Sequence, residues 1–71
     1  MKCFEIKANY TYSGGCAIVA AHTPDEAIKE YRNSDYNNWL YDEYAYTCNI
    51  IEGMEYDTDT PKVVINEIYI E

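Results

Sequence analysis

The chain has a single histidine, three cysteines that never fall in a short paired spacing, and no lysine or arginine anywhere between residues 33 and 61. With His22 alone, a nucleophile, base and orienting group of the histidine-dependent kind cannot be assembled from any motif present. Cys3, Cys16 and Cys48 are odd in number and far apart, which argues against a disulfide framework or a zinc knuckle and for reduced thiols acting as small hydrophobes. A phosphate backbone would be repelled by the cation-free stretch, so direct nucleic-acid binding is not expected. Long apolar runs are also missing. The opening residues, Met1-Lys2-Cys3-Phe4-Glu5-Ile6-Lys7, are interrupted by charge at Lys2, Glu5 and Lys7, unlike a signal peptide or membrane span. A cytoplasmic protein without membrane contact is the expectation, and Asn9-Tyr10-Thr11, a glycosylation pattern only in a secreted chain, carries no weight.

What the chain does have is material for one small core. Apolar types make up 48% of its residues and aromatics 15%, enough for collapse. A chain this short buries only about 60% of its unfolded surface, so the core is thin. One domain spanning residues 1–71 is expected. The formal charge of −8 is unevenly placed. Up to Arg32, the bases Lys2, Lys7, Lys29 and Arg32 balance Glu5, Asp25, Glu26 and Glu30. Asp35, Asp42, Glu43, Glu52, Glu55, Asp57 and Asp59 then follow without a single base.

Phe4, Ile6, Ala8, Tyr10 and Tyr12 alternate along residues 2–12, the period of a half-buried strand. Ser13-Gly14-Gly15 offers a turn, and Cys16-Ala17-Ile18-Val19-Ala20-Ala21 reads as the second arm of a hairpin. At Thr23-Pro24-Asp25-Glu26 a helix starts: Thr23 can cap, Pro24 suits the first helical position and Glu26 completes a capping box. Ala27, Ile28 and Tyr31 form its narrow inward stripe, and Asp25 stands four residues before Lys29. Tyr36, Trp39, Leu40 and Tyr44 recur at helical spacing among turn-forming Asn33, Ser34, Asn37 and Asn38, which suggests a short second helical turn. Residues 44–51 alternate as a strand that Glu52-Gly53 should end, residues 53–61 read as an acidic loop stopped by Pro61, and residues 62–70 as a final strand. The order ββα(α)ββ predicts an α+β fold, a four-stranded, mostly antiparallel sheet with helix on one face.

The passage from a hairpin into Ala21-His22-Thr23-Pro24-Asp25-Glu26-Ala27-Ile28 and on to Tyr31-Arg32-Asn33-Ser34-Asp35 resembles the small ββα modules called DpnD/PcfM-like, found on bacterial mobile elements. The resemblance implies a fold and supplies no catalytic residues. The tyrosine-rich stretch after Asp35 departs from that pattern.

Other chemistries have plainer readings. His22 precedes a helix cap and reads as a junction residue, and the three thiols, in expected strands, as inert. Asp57-Thr58-Asp59-Thr60 with Glu52 and Glu55 offers hard oxygen ligands, yet lacks the register of a calcium loop, so no metal or other cofactor is expected. Paired carboxylates such as Asp42-Glu43 would need a deep cleft to raise one pKa, which a chain of this size does not offer. The remaining combination is aromatic side chains set among carboxylates: Asp35, Tyr36, Trp39, Tyr41, Asp42, Glu43, Tyr56, Asp57 and Asp59. Tyrosine and tryptophan give rigid contact area, and surrounding acids attract a basic partner. The expectation is therefore a non-enzymatic interaction module docking on a basic protein, in its sharpest form a DNA mimic from a phage or mobile element that inhibits a nucleic-acid-binding protein. Two alternatives stand beside it: a small-ligand or calcium-binding domain using residues 52–59, and a homo-oligomer built through an edge strand.

Overall fold

In the computed structural model, residues 1–9, 12–33 and 46–70 are described. Among them, strands and one helix run in the order β1 (Lys2–Ala8), β2 (Ser13–Gly14), β3 (Ala17–Ala21), α1 (Pro24–Arg32), β4 (Tyr46–Glu55), β5 (Lys62–Asn66) and β6 (Tyr69–Ile70). Four of the strands form an antiparallel sheet in the order β4-β1-β3-β5, and β2 pairs with β6 in a small second ladder. This is the expected α+β architecture. The short second helix expected within residues 33–43 lies outside the described residues, apart from the α1 cap at Asn33.

The helix begins where its chemistry says it should. Thr23, in an extended conformation, accepts from the Glu26 N–H at 3.1 Å, and Pro24 opens the first turn. Glu26 reaches back one residue further than a capping box requires, accepting from the His22 N–H at 2.8 Å. Asn33 closes the far end, its N–H donating to the Lys29 carbonyl at 3.0 Å. Ala27 and Tyr31 are buried and Ile28 packs beside them, the stripe read from the sequence. The Asp25–Lys29 pair suggested by spacing is not among the ion pairs of the described residues. Asp25 instead lies close enough to Cys48 to disfavour its thiolate.

Phe4, Ile6, Ala17, Val19 and Ala21 supply the sheet side of the core, with Val63, Cys48, Tyr46 and Ile68 half-buried around it. Ala17, Ala21 and Ala27 keep both surfaces low, so helix and sheet can approach closely. The core is thin. Its large, fully buried side chains are Phe4, Ile6, Val19 and Cys3.

Three local readings are corrected. β1 stops at Ala8, and Tyr12, expected on the buried face, is 66% exposed near the hairpin turn. β4 does not end at Glu52-Gly53 but continues to Glu55. Lys2 pairs with Glu55 while Phe4 pairs with Ile50, so a lone β1 residue, Cys3, faces Ile51 to Met54. Gly53, at φ 78°, absorbs this bulge in a conformation that a side chain would resist. Finally, the expected strand over 62–70 breaks in two: β5 pairs with β3, and β6 turns away to pair with β2. Val64 is the extra residue of a second bulge between Val63 and Ile65, which leaves Val63 toward the helix and Ile65 45% exposed.

Candidate functional site

Of the candidate contact residues, Tyr56, Asp57 and Asp59 fall within the described structure; Asp35, Tyr36, Trp39, Tyr41, Asp42 and Glu43 lie outside it. Tyr56 is half-buried and continues the β4 ladder past the bulge, exchanging main-chain hydrogen bonds with Met1. The Met1 ammonium donates to the Tyr56 carbonyl at 2.9 Å, and the Tyr56 N–H donates to the Met1 carbonyl at 2.8 Å. The chain must then travel from one edge of the sheet to the other, three ladder spacings or roughly 14 Å, to begin β5. Asp57 and Asp59 sit exposed on that crossing. The Thr58 hydroxyl donates to the Thr60 carbonyl at 2.9 Å and holds the turn. Cys3 and Ala20 alternate out of register with the helix-facing residues and are nonetheless 2% and 0% exposed, at the end of the sheet where this connection passes.

Among the described residues the fold brings a base opposite an acid that stands far from it in the sequence. Lys2 stands opposite Glu55 across the bulge, and the Lys62 ammonium lies 5.6 Å from the centroid of the Tyr56 ring, a cation–π distance. Two lysines from flanking strands thus enter the acidic end. Neither is within ion-pair distance of an acid there: among the described residues the ion pairs are Lys7 with Glu5 at 3.8 Å and His22 with Glu26 at 3.0 Å. Glu52, Glu55, Asp57 and Asp59 stay exposed. Among the described residues no three acidic, histidine or cysteine side chains converge as a metal site would require.

Sequence reasoning missed the apolar component of this end. Ile50 and Met54 are 42% and 43% exposed, with Glu52 and Glu55 on either side of Met54. They border an open concavity of about 350 Å³ over the bulge, between Lys2 and Glu55, at the small end of the range of ligand pockets. Gly53 inside an otherwise strand-like segment was the available signal, because an isolated strand glycine marks a bulge as readily as a stop.

His22 and Cys48 are engaged away from this end. The His22 ring nitrogen Nδ1 lies 3.0 Å from the Glu26 carboxylate, at the helix cap. That carboxyl is held below its ordinary value first by the His22 main-chain N–H. Cys48 donates weakly to the Pro24 carbonyl at 3.7 Å, and burial, with Asp25 adding to it, pushes its thiol up and away from the nucleophilic thiolate. Among the described residues no helix is long and apolar enough to cross a membrane. Comparison with known proteins finds no matching family model, no matching curated protein and no matching solved structure.

Proposed function

We propose that this protein is a non-catalytic interaction module whose acidic end, built from Glu52, Glu55, Tyr56, Asp57 and Asp59, docks on the basic surface of a partner protein. The observation that carries the reading is the pairing of exposed Ile50 and Met54 with exposed Glu52 and Glu55 around one bulge. An apolar centre rimmed by charge is the anatomy of a protein interface, where the apolar part supplies affinity and the rim supplies steering. In its sharpest form the partner is a nucleic-acid-binding protein and the carboxylates occupy its phosphate groove, as a DNA mimic would.

The test is binding to a panel of basic DNA-binding proteins, with duplex DNA as competitor, at low and high salt. The expected result is competition by DNA and association that slows as salt screens the carboxylates. Replacing Glu52, Glu55, Asp57 and Asp59 together by their amides should slow association by about tenfold or more. Binding indifferent to both salt and the amide variant would rule the proposal out.

A further inference from the structure

Among the described residues no strand lies along the outer edge of β4, and the hydrogen bonds define which of its main-chain groups, at Cys48 and Ile50, face that edge. Met1 and Tyr56 exchange both of their bonds, so the polar groups of Met1 point toward β4. Alternation along β1 turns those of Glu5 and Lys7 the same way, toward their register partners Asn49 and Thr47. The other side of the sheet agrees. The Cys16 carbonyl accepts from the Glu67 N–H at 2.9 Å, which points the even-numbered groups of β3 at β5 and its odd-numbered groups at β1. Cys48 and Ile50 therefore turn their N–H and C=O groups outward, and β4 is the last strand on that side among the described residues.

An extended main chain is what such an edge recognises, since it returns one donor and one acceptor at every second residue. The side chains along β4 specify more. Residues 46–51 are uncharged, with Ile50 exposed, and Glu52, Glu55, Asp57 and Asp59 then follow in a row of exposed carboxylates. A strand laid along this edge meets an apolar position first and a series of negative charges next. A second copy of the chain fits poorly, because each copy brings a formal charge of −8 to the contact.

We infer that β4 accepts an extended, lysine- or arginine-bearing segment of a partner protein as an added antiparallel or parallel strand. This rests on the acidic-docking reading above and specifies its geometry: main-chain pairing at Cys48 and Ile50, an apolar partner side chain near Ile50, and basic side chains opposite Glu52 and Glu55.

Amide hydrogen exchange of the full chain, read residue by residue by NMR during titration with a synthetic peptide of alternating lysine and valine at low salt, tests it. The Cys48 and Ile50 amides should slow by about fivefold or more, the worth of one net hydrogen bond, while Thr47 and Asn49, already bonded inward, change little. The variant Ile50→Pro, which deletes an outward donor that an edge strand can spare, should weaken peptide binding by about fivefold or more with melting checked alongside. Salt-sensitive binding that leaves both amides exchanging as in the free protein overturns strand addition and leaves acidic docking standing. Failure of the peptide to bind at low salt overturns both. Protection at Cys48 and Ile50 that grows with protein concentration in the absence of peptide overturns the inference in favour of self-pairing.

Discussion

The Tyr31 hydroxyl donates to the Asn66 side-chain oxygen across 3.1 Å, and the same oxygen accepts from the Ile68 N–H at 3.3 Å, so one amide joins the helix to the chain leaving β5. Tyr31 is buried and its ring meets that of Tyr46 edge-on at 5.6 Å. Tyr31→Phe keeps the ring and removes the donor. The expected cost is on the order of 1 kcal/mol, seen as a melting temperature lower by roughly 4–8 °C.

The same residue sets an alkaline limit. Burial, with Tyr46 adding to it and the Asn66 hydrogen bond opposing it, pushes the Tyr31 phenol from 10.0 up to about 12. The native state thus keeps a proton that the unfolded chain releases, and stability present below pH 10 drains away as pH rises toward 12. Melting of the wild type should fall more steeply over that window than melting of Tyr31→Phe. Parallel slopes would remove the assignment.

At the helix start, Thr23→Ala should cost about 1 kcal/mol by leaving the Glu26 N–H uncapped, measurable by chemical denaturation. Glu26→Gln behaves differently with pH. Because the native carboxyl is held below its ordinary value, its contribution is present above 4.5 and is lost as pH falls through the lower native value. The wild type's advantage over Glu26→Gln should therefore shrink on acidification, and an advantage constant with pH would count against the His22 contacts.

Two glycines at positive φ separate backbone strain from collision. Gly53 at φ 78° has open space where a methyl group would sit, whereas at Gly15, φ 72°, a Cβ would run into the Glu67 carbonyl oxygen. Gly53→Ala should cost about 1–2 kcal/mol of conformational strain alone. Gly15→Ala should cost clearly more and loosen the β2–β6 ladder, since the Glu67 N–H bonds the neighbouring Cys16. Equal losses in a denaturant series would contradict this division.

Much of this was legible in the residues. Thr23, Pro24 and Glu26 announce the helix because capping is local chemistry that three neighbouring side chains decide. Phe4 and Ile6 alternate into the core for the same reason of short range. The misread segments depend on distant partners. Whether Gly53 ends a strand or bulges within it is decided by Lys2, which pairs with Glu55. Whether residues 62–70 form one strand or two is decided by Ser13 and Gly14, which draw Tyr69 and Ile70 away from β3. For the candidate site, alternation identified acids and tyrosines but not the exposed Ile50 and Met54, whose exposure comes with the bulge.

The strand order β4-β1-β3-β5 also has a kinetic consequence. A growing chain can close the β1–β3 hairpin as soon as Ala21 is available, but the opposite flank of β1 waits for residues 46–55, and Met1 for Tyr56, 55 positions away. Closing that long excursion is entropically demanding, as is the pairing of Ser13 with Ile70, and within the four-stranded sheet it places the slow step of folding at the docking of β4. Until then the earliest-made strand travels with one side uncovered, the interval in which this small protein is most prone to pair with the wrong neighbour.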